Sequence, residues 1–236
     1  MLAVISSEAP ADSVKALQAR GLEVLMLPPH PVLPRPVASH PDMLVFFGAD
    51  FILCTAEYAK AAGAELSFLS AHCKRRLRIS RHKVGNAYPN DILLNALPLG
   101  NRLFCLSAHT ASELTEEGAY QIVSVKQGYA KCSALPITQN ALITEDLSIA
   151  SAASACGADV LLIASNAVSL PGYNTGFLGG AASFSPYDEI GQILFCGSLD
   201  SHPDALRIRR FCTKHGVTPI SLTDAPLTDV GTMFLI

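Results

Sequence analysis

The chain has 236 residues, half of them hydrophobic and 16% charged, which sustains a buried core and excludes a disordered polymer. A formal net charge of -3 offers no bulk attraction to nucleic acid or to an anionic membrane surface. No apolar run approaches the roughly 18 residues of a membrane span, and MLAVISSEAP lacks the basic start and long apolar region of a secretory signal, so a cytoplasmic location is expected.

In chain order, the run MLAVIS (1–6) predicts a strand and ADSVKALQAR (11–20) a helix. Gly21 and the strand LEVLML (22–27) follow. The proline-rich PPHPVLPRPVASHP (28–41) predicts an extended connector. A hairpin is expected from MLVFF and FILC across Gly48-Ala49-Asp50, then the helix TAEYAKAA (55–62), Gly63 and the strand AELSFL. Residues 71–89 carry Lys74, Arg75, Arg76, Arg78, Arg81 and Lys83, and read as a solvated connector or an anion-binding lid.

The pattern then recurs. ILLNAL and RLFCLS flank Pro98-Leu99-Gly100-Asn101, before the helix ASELTEE, Gly118 and AYQIVSV. SALPI and ALIT flank Gln139-Asn140, before EDLSIASAASAC, Gly157 and ADVLLIA. AASF and QILFCG flank Pro186-Tyr187-Asp188, before PDALRIRRFCTKH, Gly216 and VTPISL. A glycine just past a helix takes the left-handed conformation that ends it. The first unit lacks a leading strand, and the final TMFLI supplies one if Met233–Ile236 pairs with Leu2–Ile5.

Five strand–strand–helix–strand units of about 47 residues result, over 229–236 with 1–28, then 40–70, 90–125, 131–166 and 179–223. The predicted fold class is α/β: a five-fold pseudosymmetric α/β-propeller in a single domain spanning 1–236, closed by its terminal strands. A doubly wound parallel sheet is the rival, and it requires no hairpin before each helix.

In such a ring the starts of the inner strands converge on one cavity. They carry His40 and Asp42, Asn90 and Asp91, Lys131 and Cys132, Gly179, Gly180 and Ala181, and Asp229. Polar groups in front of apolar strands are costly unless hydrated or paired, and an axial pocket supplies that hydration. Cysteine, histidine and acid form the inventory of thiolate catalysis, which predicts a depressed Cys132 pKa and selective alkylation of that thiol. Carboxylates would hold a guanidinium in bidentate fashion. For Cys132 the alternative is a buried strand cysteine, and for His40 a loop histidine. The seven cysteines include no CxxC pair, so buried free thiols are expected rather than a zinc site.

The plan resembles the pentein, or guanidine-modifying enzyme, superfamily over essentially the whole chain. His40-Pro41-Asp42 resembles its His-x-Asp segment, Gly128-Tyr129-Ala130-Lys131-Cys132-Ser133 its segment ending in the nucleophilic cysteine, and Leu178-Gly179-Gly180 its paired-glycine segment. Two departures stand out: Ala181 replaces the acid that usually follows the glycines, and the cysteine sits mid-chain, as a circular permutation would place it.

The resemblance implies an amidinohydrolase acting on a guanidino or amidino group of a small molecule. Cys132 would be the nucleophile and His40 the general acid/base. Asp42, Asn90, Asp91, Lys131, Gly180 and Asp229 would contact the substrate. No metal or organic cofactor is implied, and neither membrane nor nucleic acid is an expected partner. The alternative is a non-catalytic binding protein on the same fold, either ribosome- or RNA-associated or a small-molecule sensor.

Overall fold

The computed structural model describes residues 1–116, 118–185 and 191–236. Strand β1 (Leu2–Ser6), helix α1 (Ala11–Ala19) and β2 (Glu23–Leu27) come first, with β2 parallel to β1. The next passage holds α2 (Pro41–Leu44), β3 (Phe46–Phe47), β4 (Phe51–Cys54), α3 (Ala56–Ala61), α4 (Gly63–Cys73) and β5 (Arg76–Ile79). Then come β6 (Leu97–Leu99), β7 (Arg102–Cys105), α5 (Ser112–Thr115) and β8 (Gln121–Ser124). They are followed by β9 (Ala134–Thr138), β10 (Ala141–Thr144), α6 (Leu147–Ala155) and β11 (Asp159–Leu162). The chain ends with β12 (Ser183–Phe184), β13 (Gln192–Phe195), α7 (Ala205–Lys214), β14 (Thr218–Ser221) and β15 (Met233–Leu235).

The strands form five small sheets rather than one continuous parallel sheet, so the doubly wound alternative does not hold among the described residues. In three of them an antiparallel hairpin is followed by a parallel outer strand, in the orders β3-β4-β5, β6-β7-β8 and β9-β10-β11. The central strands β1, β4 and β10 are buried at every residue, whereas β5, β8, β11, β14 and all of β2 but Leu27 are half-buried or exposed. Apolar area therefore leaves water chiefly along one row of strands, and the helices cover the flanks. The two ends of the chain meet: β15 pairs antiparallel with β1, Ala3 opposite Leu235, and Leu2 and Ile236 exchange backbone hydrogen bonds of 2.7 and 2.9 Å.

Local chemistry accounts for the helix limits. Asp146 caps α6, its Oδ1 accepting from the amides of Ser148 at 2.8 Å and Ile149 at 2.9 Å. Gly157 then takes φ +82° and turns the chain into β11.

The structure departs from the sequence expectations at several points. Gly63 does not end a helix; it opens α4, and AELSFL lies within that helix. The run carries helix formers on both sides, and the stop comes at Lys74, which takes the left-handed conformation at φ 53°. The second unit's outer strand is therefore β5, inside the stretch read as a basic connector. Arg76 pairs with Asp50 at 2.5 Å and Arg81 with Glu113 at 3.5 Å, which suits a charged edge strand. The proline-rich segment includes a one-turn 3-10 helix at Arg35–Val37 and buries His30 and Leu33. Among the described residues, strand β12 pairs parallel with β15 and the chain meets β13 at the antiparallel bridge Ala182–Phe195. The turn expected at Pro186-Tyr187-Asp188 lies outside the described residues.

Candidate active site

Segments from five places in the sequence are stitched together by direct hydrogen bonds. The Asp42 amide donates to the Gly231 carbonyl at 3.1 Å, and the Thr232 amide to the Gly180 carbonyl at 2.9 Å. The Gly180 amide donates to the Cys132 carbonyl at 2.9 Å. Asn95 Oδ1 accepts from the Lys131 amide at 2.9 Å, and Asn95 Nδ2 reaches the Asp42 carbonyl at 3.5 Å. The circuit 42–231/232–180–132–95–42 closes on itself and holds the intervening side chains against one another.

Glycines make the approach possible. A Cβ on Gly180 would collide with the Asp229 carboxylate, so the bare backbone leaves room for that acid. Gly231, at φ +72°, does the same for His40.

Within the circuit, one donor atom each of His40, Asp42 and Cys132 lies within 4.8 Å of the others. The Cys132 thiol donates to Asp42 Oδ2 at 3.0 Å and receives Asn95 Nδ2 at 3.1 Å. Thr232 Oγ1 donates to the same Asp42 oxygen at 2.8 Å and accepts from Lys131 Nζ at 3.1 Å. Asp229 accepts from the Gly231 amide and the Phe177 amide, each at 2.9 Å, and its Oδ1 stands 3.8 Å from His40 Nδ1. His40 Nδ1 and Asp42 Oδ1 are buried without a hydrogen-bond partner among the described residues. A buried polar atom left in that state is costly unless water or a ligand meets it.

Burial governs the charges. It lowers the His40 pKa, so the imidazole is neutral at pH 7. It raises Asp42, partly offset by His40 and Lys131, raises Asp229 to about 6, and lowers Lys131 to about 8. The Cys132 thiol is pushed well above its ordinary value by burial first and then by Asp42 and Asp229. This corrects the expectation of a depressed thiol pKa. A cysteine beside two carboxylates in a dry site holds its proton, and the nearby Lys131 does not outweigh them.

Asp229 also gives a stability prediction. Its folded pKa of about 6 lies above the ordinary value of 3.8. The folded protein therefore binds the extra proton between those values, and stability falls as pH rises through that window. Urea unfolding at pH 5 and pH 7 is expected to show wild type losing stability relative to Asp229→Asn, which has no such titration. A constant difference between the two proteins would refute it.

The predicted site residues divide clearly. His40, Asp42, Lys131, Cys132, Gly180 and Asp229 come together. Asn90 does not: it is exposed, and its backbone closes a turn with Gly85 and Ala87. Asp91 is buried but accepts from the Tyr129 hydroxyl at 2.6 Å, beside Tyr88 rather than within the circuit. The unit over 90–125 contributes Asn95 instead, because residues 92–95 form a turn and not the start of a strand. Thr232 was also missed. The only sequence signal for either was a polar residue inside or just before an apolar run. Ala181 is buried and brings no acid, and Asp229 occupies the space over Gly180.

Two openings flank the cluster. A cleft of about 930 Å³, measured to its open mouth, is lined by Glu8, Arg35, Ser39, His40 and Asp229 among others. None of the basic residues of 71–89 lines it, so the lid expectation does not hold there. A smaller crevice of about 260 Å³, measured to its open mouth, is lined by the buried Asp42 and Lys131 together with Phe46, Phe47, Phe184 and Phe234. His40, Asp42 and Cys132 also form a nitrogen, oxygen and sulfur donor set of the kind that divalent transition metals accept, with the Lys131 ammonium opposing a cation there. No helix among the described residues is long and apolar enough to cross a membrane.

Comparison with solved structures places the fold. DDAH from Pseudomonas aeruginosa, a mutant complexed with citrulline, superposes with a TM-score of 0.56 at 11% identity, covering 94% of this chain and 92% of that one. Agmatine deiminase of C. jejuni gives 0.52 at 10% identity, with coverage of 94% and 76%. The amidinotransferase SxtG from Microseira wollei, of the saxitoxin biosynthetic pathway, gives 0.52 at 11% identity, with coverage of 97% and 93%. The expected resemblance thus holds at the level of fold, which is the mixed α/β fold of the pentein superfamily. A search of curated proteins finds no match to the sequence. Residues 4–234 match the model of a family described as a Family of unknown function (DUF6873), and the chain belongs to that family.

Proposed function

We propose that this protein is a cysteine-dependent hydrolase acting on the guanidino or amidino group of a small molecule. The observation that carries the reading is the meeting of Cys132, His40 and Asp42 within 4.8 Å in a buried site beside an open cleft. The charge balance supports it. Asp42 and Asp229 face the single ammonium of Lys131, and His40 is neutral, so with both acids ionised one positive charge is wanting. A guanidinium supplies that charge and can engage the open Asp42 Oδ1.

In this reading Cys132 Sγ bonds to the amidino carbon, and one C–N bond of that carbon breaks. The departing nitrogen takes a proton through His40 and leaves as ammonia or an amine. Water then adds to the same carbon, the thiolate leaves, and a ureido product remains. Asp229, whose Oδ1 stands 3.8 Å from His40 Nδ1, is the acid nearest the imidazole where Ala181 supplies none. Asp42 and Lys131 set the local charge, and Gly180 makes room. The chemistry calls on no metal or organic cofactor. The hydrogen-bonded circuit and the joined termini favour a five-bladed α/β-propeller in one domain over 1–236. A cytoplasmic small-molecule enzyme is the corresponding setting, with neither membrane nor nucleic acid as partner.

A second reading is a sensor that binds without turnover. It is favoured by Ala181 and by the protonated state of the Cys132 thiol. Incubation with arginine and agmatine, assayed for ureido product and released ammonia, separates the two. Product formation is the expected result. Thermal stabilisation with no product would replace the hydrolase by the sensor.

A further inference from the structure

We propose that Asn95 is a positioning residue of the site: its buried side-chain amide fixes Cys132 Sγ and stabilises the sulfur as a thiolate; its part in turnover rests on the hydrolase reading above. The proposal gives a task to a group that the chemistry described so far leaves unused.

The neighbours of the amide fix its orientation. Oδ1 accepts from the Lys131 amide at 2.9 Å and from the Cys132 amide at 3.4 Å. Nδ2 faces acceptors: Cys132 Sγ at 3.1 Å, Met43 Sδ at 3.2 Å and the Asp42 carbonyl at 3.5 Å. Turning the group over would set N–H against N–H and oxygen against sulfur, so the donor is aimed at the thiol. The backbone behind it is held as well. The Asn95 amide closes a turn on the Ile92 carbonyl at 2.9 Å, and its neighbours Leu94 and Ala96 lie in the core.

The sulfur needs that donor. Asp42 Oδ2 lies 3.0 Å from it and Asp229 adds a second negative charge, so both carboxylates oppose a thiolate. Lys131 does not replace Asn95: its ammonium donates to Thr232 Oγ1 at 3.1 Å and stands 4.7 Å over the Phe184 ring. Among the described residues, Asn95 Nδ2 is the one donor hydrogen-bonded to Sγ. When the S–H bond breaks, the proton passes to Asp42 Oδ2 along the hydrogen bond already present, and the charge left on sulfur is met by this N–H. A hydrogen bond to the charged form of a group shifts its equilibrium toward that form. Asn95 therefore works against burial and the two acids, and makes a thiol that would otherwise stay protonated available for attack.

The test follows iodoacetamide alkylation of Cys132, resolved by peptide mass, across the neutral and alkaline range in wild type and Asn95→Ala, with the half-buried Cys73 and Cys156 as internal standards. Asn95→Ala should slow Cys132 about tenfold at each pH, which moves its pH–rate curve about one unit upward, and should leave the two standards unchanged. A residue that only braced the loop would act in the opposite direction, because removing its side chain opens the way to the sulfur. Asn95→Ser, too short to reach both the Lys131 amide and the sulfur, is expected to give the same slowing, and it carries the test if the alanine protein does not fold. Unchanged or faster labelling of Cys132 in the folded variant overturns the assignment. Turnover of arginine and agmatine is assayed on the same proteins. A wild type that forms no ureido product removes the hydrolase reading, while the labelling still decides what Asn95 does to the thiol.

Discussion

Replacing Cys132 by serine is expected to lower turnover of a guanidino substrate by about 10⁴-fold, the usual cost of removing a covalent nucleophile. The loss should appear in kcat with ligand binding preserved. Serine keeps the donor that Asp42 Oδ2 now receives from the thiol, so the buried carboxylate is not stranded. Equal melting temperatures for the two proteins would show that chemistry and not folding was removed. Because burial and two carboxylates hold the thiol protonated, wild-type kcat/KM should rise with pH through the neutral range. Iodoacetamide at pH 7 should label the half-buried Cys73 and Cys156 before Cys132. Near wild-type turnover by the serine variant would remove Cys132 as nucleophile, and the hydrolase reading with it.

Gly179→Ala is expected to destabilise the fold by at least about 3 kcal/mol, or roughly 6–12 °C in Tm for a chain of this size. A Cβ at this position would lie 2.5 Å from the carbonyl oxygens of Ala134 and Cys132 and 2.7 Å from that of Lys131. All three are backbone atoms in the segment that presents the thiol, so relief requires moving the segment itself. Gly157→Ala provides the comparison. Gly157 sits at φ +82° with open space around it, so alanine there bears only the left-handed conformation, about 1–2 kcal/mol. Urea denaturation of the two variants side by side should separate them clearly. Equal losses would mean that the 131–134 and 179 segments are not packed as closely as described.

Much of the scaffold was legible because it rests on local rules. The helix α6 announces itself in the run EDLSIASAASAC with Gly157 after it, and Gly157 acts as that pattern predicts, while Asp146, read as part of the helix, caps it. The terminal strand was legible for a different reason: four units had a leading strand, one did not, and TMFLI was left over. The reading failed at Gly63, where a glycine opens a helix rather than closing one. A glycine marks a stop only when the residues beyond it prefer another conformation, and AELSFLSAHC does not.

The site was legible in outline only. His40, Asp42, Lys131, Cys132 and Asp229 could be gathered because the repeat assigns them equivalent places. Asn95 and Thr232 could not, because the turn at 92–95 shifts the second segment by several residues and Thr232 hides beside an apolar strand. The Cys132 titration was read with the wrong sign. Its residue type suggested a reactive thiolate, but depth of burial and the nearness of Asp42 decide the proton.

Composition, helix periodicity and the repeated glycine stops thus determined, without coordinates, that the chain folds as repeated α/β units with its ends joined, since those signals act over a few residues at a time. Which polar groups touch, and in what charge state, was decided by the tertiary structure alone. Residues 42, 95, 132, 180 and 232 stand tens of residues apart along the chain, and only the loop geometry between them sets their register at the centre. Their pKa values follow from how completely the packed chain excludes water, which no stretch of sequence specifies by itself.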